Sequence, residues 1–395
     1  MKTDYDVIVV GAGPAGSMTA HHAAKKGARV LMIEKRQEIG SSLRCAEGIS
    51  RKGLEKAGIS IDKRWISAEM KGAKIVSPHG HVFRIDESHA GDEVGLVLER
   101  HRFDKYLAER AAKAGTEIRL KTAATGVIKE GKVVKGITGK SFGEPFKLTA
   151  GCVVGADGYE SQVGRWAGLD TTLKMSDVTS CFQYRLTGIK SEPDFCEFII
   201  GSVAPGGYAW IFPKGGDTAN VGMGVLASKL KKPGDVKMYI DKWIRSDPRL
   251  SCGQPLEALG AAVSVSPPVE KSIADGILLV GDAARVIDSI TGGGIANGCI
   301  MGLLAGQVLG DCAQAKDFSE AAMKRYEKLW RDELENKLYR NWMAKEKLIT
   351  MTDEQLDGVV ETLAGCDITE MNVYNILAAL KVKMPELVKE FEQYI

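Results

Sequence analysis

Asp6-Val7-Ile8-Val9-Val10-Gly11-Ala12-Gly13-Pro14-Ala15-Gly16, with Arg29-Val30-Leu31-Met32-Ile33-Glu34 further on, decides the fold. The apolar run reads as a strand, Gly11-x-Gly13-x-x-Gly16 as a tight turn opening a helix, and Arg29 to Glu34 as a second strand. Together they make the βαβ unit that holds a dinucleotide. Gly11 permits the turn, Gly13 lets the backbone approach a pyrophosphate, and Gly16 lets helix and strand pack closely. The helix N-terminus then offers unpaired N–H groups and a positive dipole end to the phosphates. Glu34 ends the second strand, where a carboxylate accepts hydrogen bonds from ribose hydroxyls and disfavours a 2′-phosphate, which points to FAD or NAD over NADP. A glycine fingerprint alone is weak, because such loops are common; here strands, helix and terminal acid all fall at the expected spacing. The unit follows a Met-Lys-Thr-Asp start, so no signal peptide is expected before it.

Working outward, 395 residues allow two or three domains and a large core. Lys plus Arg number 53 against 51 Asp plus Glu, and no long basic run or stacked aromatic cluster points to nucleic acid. No uncharged apolar stretch reads as a bilayer span, so any membrane contact is expected to be peripheral. The eight cysteines are scattered without Cys-x-x-Cys pairs and the six histidines form no ligand set, which argues for a reduced cytoplasmic protein without a metal site.

After Glu34, Ile39-Gly40-Ser41-Ser42-Leu43-Arg44-Cys45-Ala46-Glu47-Gly48 is too irregular for a helix or strand. Cys45 there is either a small buried thiol or a group beside a flavin ring. Residues 65–98 alternate as strands of a second sheet, and a helix follows to about Ala114 with Gly115 as its C-cap. Val133 to Leu148 reads as a hairpin with turn residues at Gly139 and Gly143. An apolar strand then runs from Cys152 into Asp157-Gly158, with Ser161 near the cap of the next helix. Residues 175–265 are strand-rich. Within them Tyr208, Trp210 and Phe212 alternate, so on a strand they share one face, either as core or as the wall of a pocket for an apolar ligand. Ile277 to Val280 reads as a buried strand that delivers Asp282 to its end, where the acid can reach ribitol hydroxyls. Gly292-Gly293-Gly294-Ile295 opens a long small-residue helix through about Leu309. From Asp317 onward the chain is helical and charged, with Tyr326, Leu329, Trp330, Leu334, Leu338 and Trp342 on one face, to pack on the body or to meet a membrane or partner.

Three clusters in this order, Gly11 to Gly16, Asp157-Gly158 and Gly281-Asp282, resemble the FAD-dependent monooxygenase-like superfamily that includes para-hydroxybenzoate hydroxylase. Tyr208-x-Trp210-x-Phe212-Pro213 with Gly222-x-Gly224 resembles the signature of geranylgeranyl reductases, in particular the archaeal digeranylgeranylglycerophospholipid reductases, over nearly the whole chain. The resemblance implies an α/β fold: a glutathione-reductase-like FAD-binding domain (1–170 and 266–315, with a strand insertion near 60–98), an inserted mixed β-sheet substrate domain (171–265) and a helical C-terminal extension (316–395). It implies FAD contacts at Ala15, Glu34, Cys45, Ala46, Gly48, Arg100, Ala124, Asp282, Gly294 and Ile295, beside Gly11, Gly13, Gly16 and Asp157. It also implies saturation of isoprenoid double bonds in archaeal ether-lipid precursors, at the inner face of the cell membrane.

An isolated trisubstituted alkene has no carbonyl to polarise it, so its reduction needs a proton as well as hydride from reduced flavin N5. Cys45 is a candidate proton donor or ring-positioning group, and Tyr208, Trp210 and Phe212 could line the chain channel and face developing positive charge. No second strand-glycine-helix unit is read for a nicotinamide, so electrons are expected from ferredoxin, a reduced deazaflavin or a transiently docking NAD(P)H. The alternatives are a monooxygenase of an apolar substrate and a non-catalytic binder of prenyl groups.

Overall fold

The computed structural model describes residues 3–41, 45–86, 95–366, 373–385 and 388–389. Residues 42–44 of the expected irregular loop, 87–94 of the expected strand region and 367–372, 386–387 and 390–395 of the expected helical tail lie outside this set.

The central sheet runs β17 (Ile273–Ala274), β18 (Ile277–Leu279), β11 (Glu144–Gly155), β1 (Tyr5–Val10), β2 (Val30–Ile33), β8 (Glu117–Arg119), and β9 (Thr122–Glu130) and β10 (Val133–Ser141) extend from β11. From β18 to β8 every pairing is parallel, as crossover helices require. Such a sheet is buried on both faces, and Val7, Ile8 and Val9 are fully so. Its register is decisive for the site. Val10 lies opposite both Gly155 and Ile33, and Gly155 opposite Leu279, so four strands end level along one edge.

The second sheet has the order β16 (Gln254–Ser264), β12 (Val178–Thr187), β15 (Thr218–Leu226), β14 (Tyr208–Gly215), β13 (Phe195–Ile200), β5 (Gly72–Val76), β6 (Val82–Asp86). A small third sheet joins β3 (Gly48–Ser50), β7 (Gly95–Leu98) and β4 (Ile66–Glu69). The strands expected near 60–98 are thus divided: β4 and β7 stay with the small sheet, while β5 and β6 complete the edge of the second through a parallel β13–β5 pairing.

The α-helices are α1 (Pro14–Lys25), α2 (Arg51–Lys56), α3 (Arg100–Lys113), α4 (Gln162–Ala167), α5 (Val236–Ser246), α6 (Ile295–Ala315), α7 (Glu320–Trp330), α8 (Asn336–Leu348), α9 (Asp353–Ala364) and α10 (Val373–Lys383). The expectation of no span-like segment is corrected by α6: an 18-residue window within its 21 residues reaches a mean hydropathy of 1.3, but 61% of that window is buried inside the protein. Gly298, Gly302, Gly306 and Gly310 recur every four residues and form a seam against α1. A Cβ at Gly302 would lie 2.4 Å from the Ala15 carbonyl oxygen, and one at Gly306 2.6 Å from that of Thr19. Only bare glycines allow this approach.

Two local readings change, at Gly139 and Ser161, and the choice left open for the C-terminal aromatic face is decided for the body. Gly139 sits inside β10, at a register irregularity, and Phe142-Gly143 alone makes the turn. Ser161 precedes α4 in a left-handed conformation (φ 43°) and its side chain makes no cap; the Asp157 carboxylate accepts from Val163 N instead, at 3.0 Å. The C-terminal aromatic face packs on the body: the Tyr326 hydroxyl donates to the Leu279 carbonyl at 2.6 Å and Trp330 Nε1 to Ser272 Oγ at 3.0 Å. A π-helical stretch at Arg331–Glu335 keeps Leu334 and Leu338 on that buried side.

Candidate active site

Because the strands of the central sheet end level, the segments following β1, β2, β11 and β18 meet at one rim. There they enclose a crevice of about 480 Å³. Gly11, Gly13, Ala15, Glu34, Cys45, Arg100, Ala124, Asp157, Asp282, Gly294 and Ile295 line it. Gly11 holds φ +112°, and a Cβ there would sit 2.3 Å from the Ala156 carbonyl oxygen. Gly16 is behind the turn, where a Cβ would strike the Gly11 carbonyl at 2.0 Å. At Gly13 a Cβ would meet nothing within 4 Å, since it projects into the crevice itself.

Neither helix pointing at the crevice is capped by a side chain. The first turn of α1 begins at Gly13-Pro14 and that of α6 at Gly294, both without a side-chain acceptor. Their free N–H groups can therefore serve an anionic ligand. Glu34, Asp157 and Asp282 are among the carboxylates that line the rim. Glu34 accepts from Ala12 N at 3.2 Å and Arg36 N at 3.0 Å, which turns it toward the glycine loop. Asp157 is desolvated; burial pushes its carboxyl up, against hydrogen bonds from the start of α4 that pull it down, and its buried Oδ1 has no protein partner. Burial also raises Asp282, with the Arg100 guanidinium acting against it. Uncapped helix ends for a pyrophosphate and acids for ribose and ribitol hydroxyls are the donor set that FAD requires, and an orphaned carboxylate oxygen is the kind of atom a bound hydroxyl satisfies.

Cys45 reaches the crevice beside Arg100, whose guanidinium is held bidentate by Asp104 at 2.8 and 2.9 Å. Burial raises the Cys45 thiol above its ordinary value, and Arg100 facing the sulfur opposes this. Ala46 and Gly48 stand outside the crevice lining. The Ala46 carbonyl accepts from Asn220 Nδ2 at 3.2 Å, and Gly48 lies under the Phe212 ring, which a Cβ would approach to 3.0 Å.

Tyr208, Trp210 and Phe212 do share one face of β14, in an edge-to-face series with Phe198: 5.4 Å from Phe198 to Tyr208, 5.3 Å to Phe212, and 5.8 Å from Tyr208 to Trp210. The glycines of β15 make room for it. A Cβ at Gly222 would come within 2.2 Å of the Trp210 indole, so Gly222 lets that ring lie on the neighbouring strand. These rings form the layer behind the crevice. The Tyr208 hydroxyl donates to the Thr291 carbonyl next to crevice-lining Gly292, and Trp210 Nε1 donates to Gln183 Oε1 at 2.9 Å. Gln183 Nε2 in turn donates to the Cys45 carbonyl at 3.3 Å. Helices α9 and α10 cover the same apolar face through Val360, Leu363 and Leu380.

Gln183, Arg185, Lys214 and Asn220 around the Cys45 loop were not expected from sequence. Their alternation on β12, β14 and β15 is the one signal that could have placed them on the aromatic face.

A crevice of this construction defines the class: an FAD-dependent oxidoreductase, with FAD as its cofactor. Residues 6–204 match the model for FAD dependent oxidoreductases and residues 177–263 that for the geranylgeranyl reductase catalytic domain. The chain is 45% identical to a digeranylgeranylglycerophospholipid reductase of Picrophilus torridus over the full length of both, and 46% identical to one of Thermoplasma volcanium over 99% of each. A geranylgeranyl bacteriochlorophyll reductase-like protein of Thermoplasma acidophilum superposes with a TM-score of 0.94 at 45% identity, covering 99% of both chains. The chain belongs to the geranylgeranyl reductase family. The flavin-dependent brominase Bmp2 shares the fold alone, with a TM-score of 0.69 at 21% identity over 99% of this chain and all of the other.

Proposed function

We propose that this protein saturates carbon–carbon double bonds of geranylgeranyl chains in archaeal glycerophospholipid precursors. The observation that carries the reading is the juxtaposition of Cys45, in the lining of the FAD crevice, with the Tyr208-Trp210-Phe212 layer through Gln183. Gly11, Gly13, Ala15, Glu34, Arg100, Ala124, Asp157, Asp282, Gly294 and Ile295 hold the cofactor from the crevice walls, with Gly16, Ala46 and Gly48 shaping the backbone behind them. FAD in its reduced form supplies a hydride. The chain's own task is to exclude water, orient the alkene and deliver a proton to the other carbon. Burial keeps Cys45 Sγ protonated, and Arg100 opposite it stabilises the thiolate left after the proton departs. Tyr208, Trp210 and Phe212, which line neither cavity, back the site with an apolar layer whose π faces favour cationic character at a tertiary carbon.

The test is anaerobic incubation of the dithionite-reduced protein with a geranylgeranyl glycerophospholipid, read by mass spectrometry. Added pairs of hydrogens are expected. An unchanged lipid, or oxygen uptake with hydroxylated product in air, would overturn the reading in favour of a binder or a monooxygenase. The electron donor is external: ferredoxin, a reduced deazaflavin or NAD(P)H.

The same reading places the protein in the cytoplasm, peripherally on the inner face of the membrane. Between 229 and 245 the chain carries Lys229, Lys231, Lys232, Lys237, Lys242 and Arg245 against Asp235 and Asp241. Met238 on α5 is 61% exposed. A basic surface with an exposed apolar side chain suits an anionic bilayer, at about 1 kcal/mol per cation near the lipid. A second groove of about 440 Å³ touches Lys237 and shares Tyr159 and Ala262 with the FAD crevice, giving a lipid a route inward. Co-sedimentation with anionic vesicles is expected, weakening as salt rises, and should fall when Lys229, Lys231 and Lys232 are changed to Gln. Equal binding of that variant would refute this docking face.

A further inference from the structure

Glu47 is a residue to which the chemistry above gives no role, yet it is 1% exposed and holds a left-handed backbone (φ 76°) two positions after Cys45. A branched-free acid gains nothing from that conformation, so the surroundings must impose it. What imposes it is a set of bonds converging from three directions. Its own N–H donates to Cys45 Sγ at 3.2 Å, and its carbonyl accepts from Leu98 N at 2.9 Å. Carboxylate Oε1 accepts from Arg100 N, at the start of α3, at 2.9 Å. Carboxylate Oε2 accepts from Lys214 Nζ at 2.8 Å, Asn220 Nδ2 at 2.8 Å and Arg185 Nη2 at 3.2 Å, all on the second sheet.

The neighbouring residues are held the same way. The Cys45 carbonyl accepts from Gln183 and the Ala46 carbonyl from Asn220. Three consecutive residues of the flavin-side loop are therefore each tied to a polar side chain of the aromatic face. Lys214 follows Tyr208, Trp210 and Phe212 at the same alternation on β14, and its side chain is only 2% exposed. It also meets Glu99 Oε1 at 2.8 Å. Glu47 and Glu99 thus balance Lys214 and Arg185. A buried ion cluster of this kind is weak evidence for stability, since apolar residues of similar volume often serve as well. What it does provide is geometric definition.

We propose that Glu47 is a positioning residue: its carboxylate clamps the Cys45 loop and the head of α3 to β14, holding the thiol and the aromatic layer in register at the edge of the crevice. This rests on the reading that alkene reduction occurs at that junction. Without the clamp, FAD still binds through the glycine turn and the helix ends, but the thiol and the alkene lose their common frame.

The test compares E47Q, C45A and the unaltered holoenzyme. E47Q keeps the shape and an acceptor for Arg100 N but loses the charge facing Lys214 and Arg185. Expected for E47Q are FAD affinity within threefold, kcat for lipid reduction down at least tenfold with KM within threefold, and Cys45 alkylation by iodoacetamide at least fivefold faster with FAD bound. A kcat and an alkylation rate within twofold of the unaltered enzyme would overturn the proposal. Should C45A turn over normally while E47Q does not, the thiol's chemical role falls and the clamp stands. Should C45A be slow and E47Q normal, the clamp falls alone. If E47Q does not yield folded protein, R185M removes one donor from Oε2; a kcat down threefold or more is expected, and an unchanged kcat refutes the clamp.

Discussion

Gly222 shows how one missing methyl shapes the site. With its Cβ position 2.2 Å from the Trp210 indole, Gly222→Ala must push the ring off β15, away from Gln183 and thus from the Cys45 loop. Overpacking of this kind costs about 1–3 kcal/mol. A lowered Tm, altered tryptophan fluorescence and a loss of turnover exceeding the loss of FAD affinity are expected; a variant with unchanged fluorescence and turnover would show the indole free to shift. At this scale the sequence was readable where a residue's role is local. The Gly11 turn follows from its neighbours along the chain. Glu47 does not, because Arg185, Lys214 and Asn220 lie 138, 167 and 173 positions away. Ser161 illustrates the opposite error: a hydroxyl at a plausible cap position, displaced by an Asp157 carboxylate that only the strand-end geometry brings within reach.

Among elements, α9 is held to the second sheet by a titratable contact. Asp357 accepts from Ser77 Oγ and from His79 N at the β5–β6 turn, and its carboxylate pairs with the His79 ring. Burial works to raise Asp357, but these bonds prevail and lower it from 3.8 to about 2. The same carboxylate raises His79 above its ordinary 6.5. A depressed acid stabilises above its unfolded value and loses that contribution as pH falls through about 2; a raised histidine stabilises below 6.5 and loses it as pH climbs through its folded value. The pair is therefore at full strength between 3.8 and 6.5. Hydrogen exchange of the α9 amides, corrected for intrinsic rates, should show greater protection at about pH 5.5 than at about pH 8.5, with the difference abolished in His79→Ala. Equal protection at both values would exclude the pair as a tether. Helix periodicity made the C-terminal aromatic face legible, yet the partners of α9 were not, since its polar contacts are single residues on a distant turn.

For the whole molecule, the parallel sheet could be read because each strand carries its own signal: an apolar run, then a glycine or an acid. The second sheet was harder. β5 and β6 are contributed from well before the segment that supplies their neighbours, and nothing in their alternation names β13 as the partner. The crevice was found from three motifs because the level strand ends convert sequence order into a shared rim.

The glycine seam between α1 and α6 carries a consequence for how cofactor binding can be lost. Both helices aim their first turns at the same ligand, like the tines of a fork whose joint is the seam. Gly306 sits eleven residues along α6, about 17 Å from its tip. A methyl added there would wedge the joint against Thr19 and His22 and splay the tines, touching no atom of the flavin. Gly306→Ala should therefore lower FAD affinity at least tenfold in a fluorescence titration, and unaltered affinity would mean that the tips are set by their loops alone. Cofactor retention in this protein is in that sense a property of its backbone joinery, exposed to damage far from where the cofactor rests.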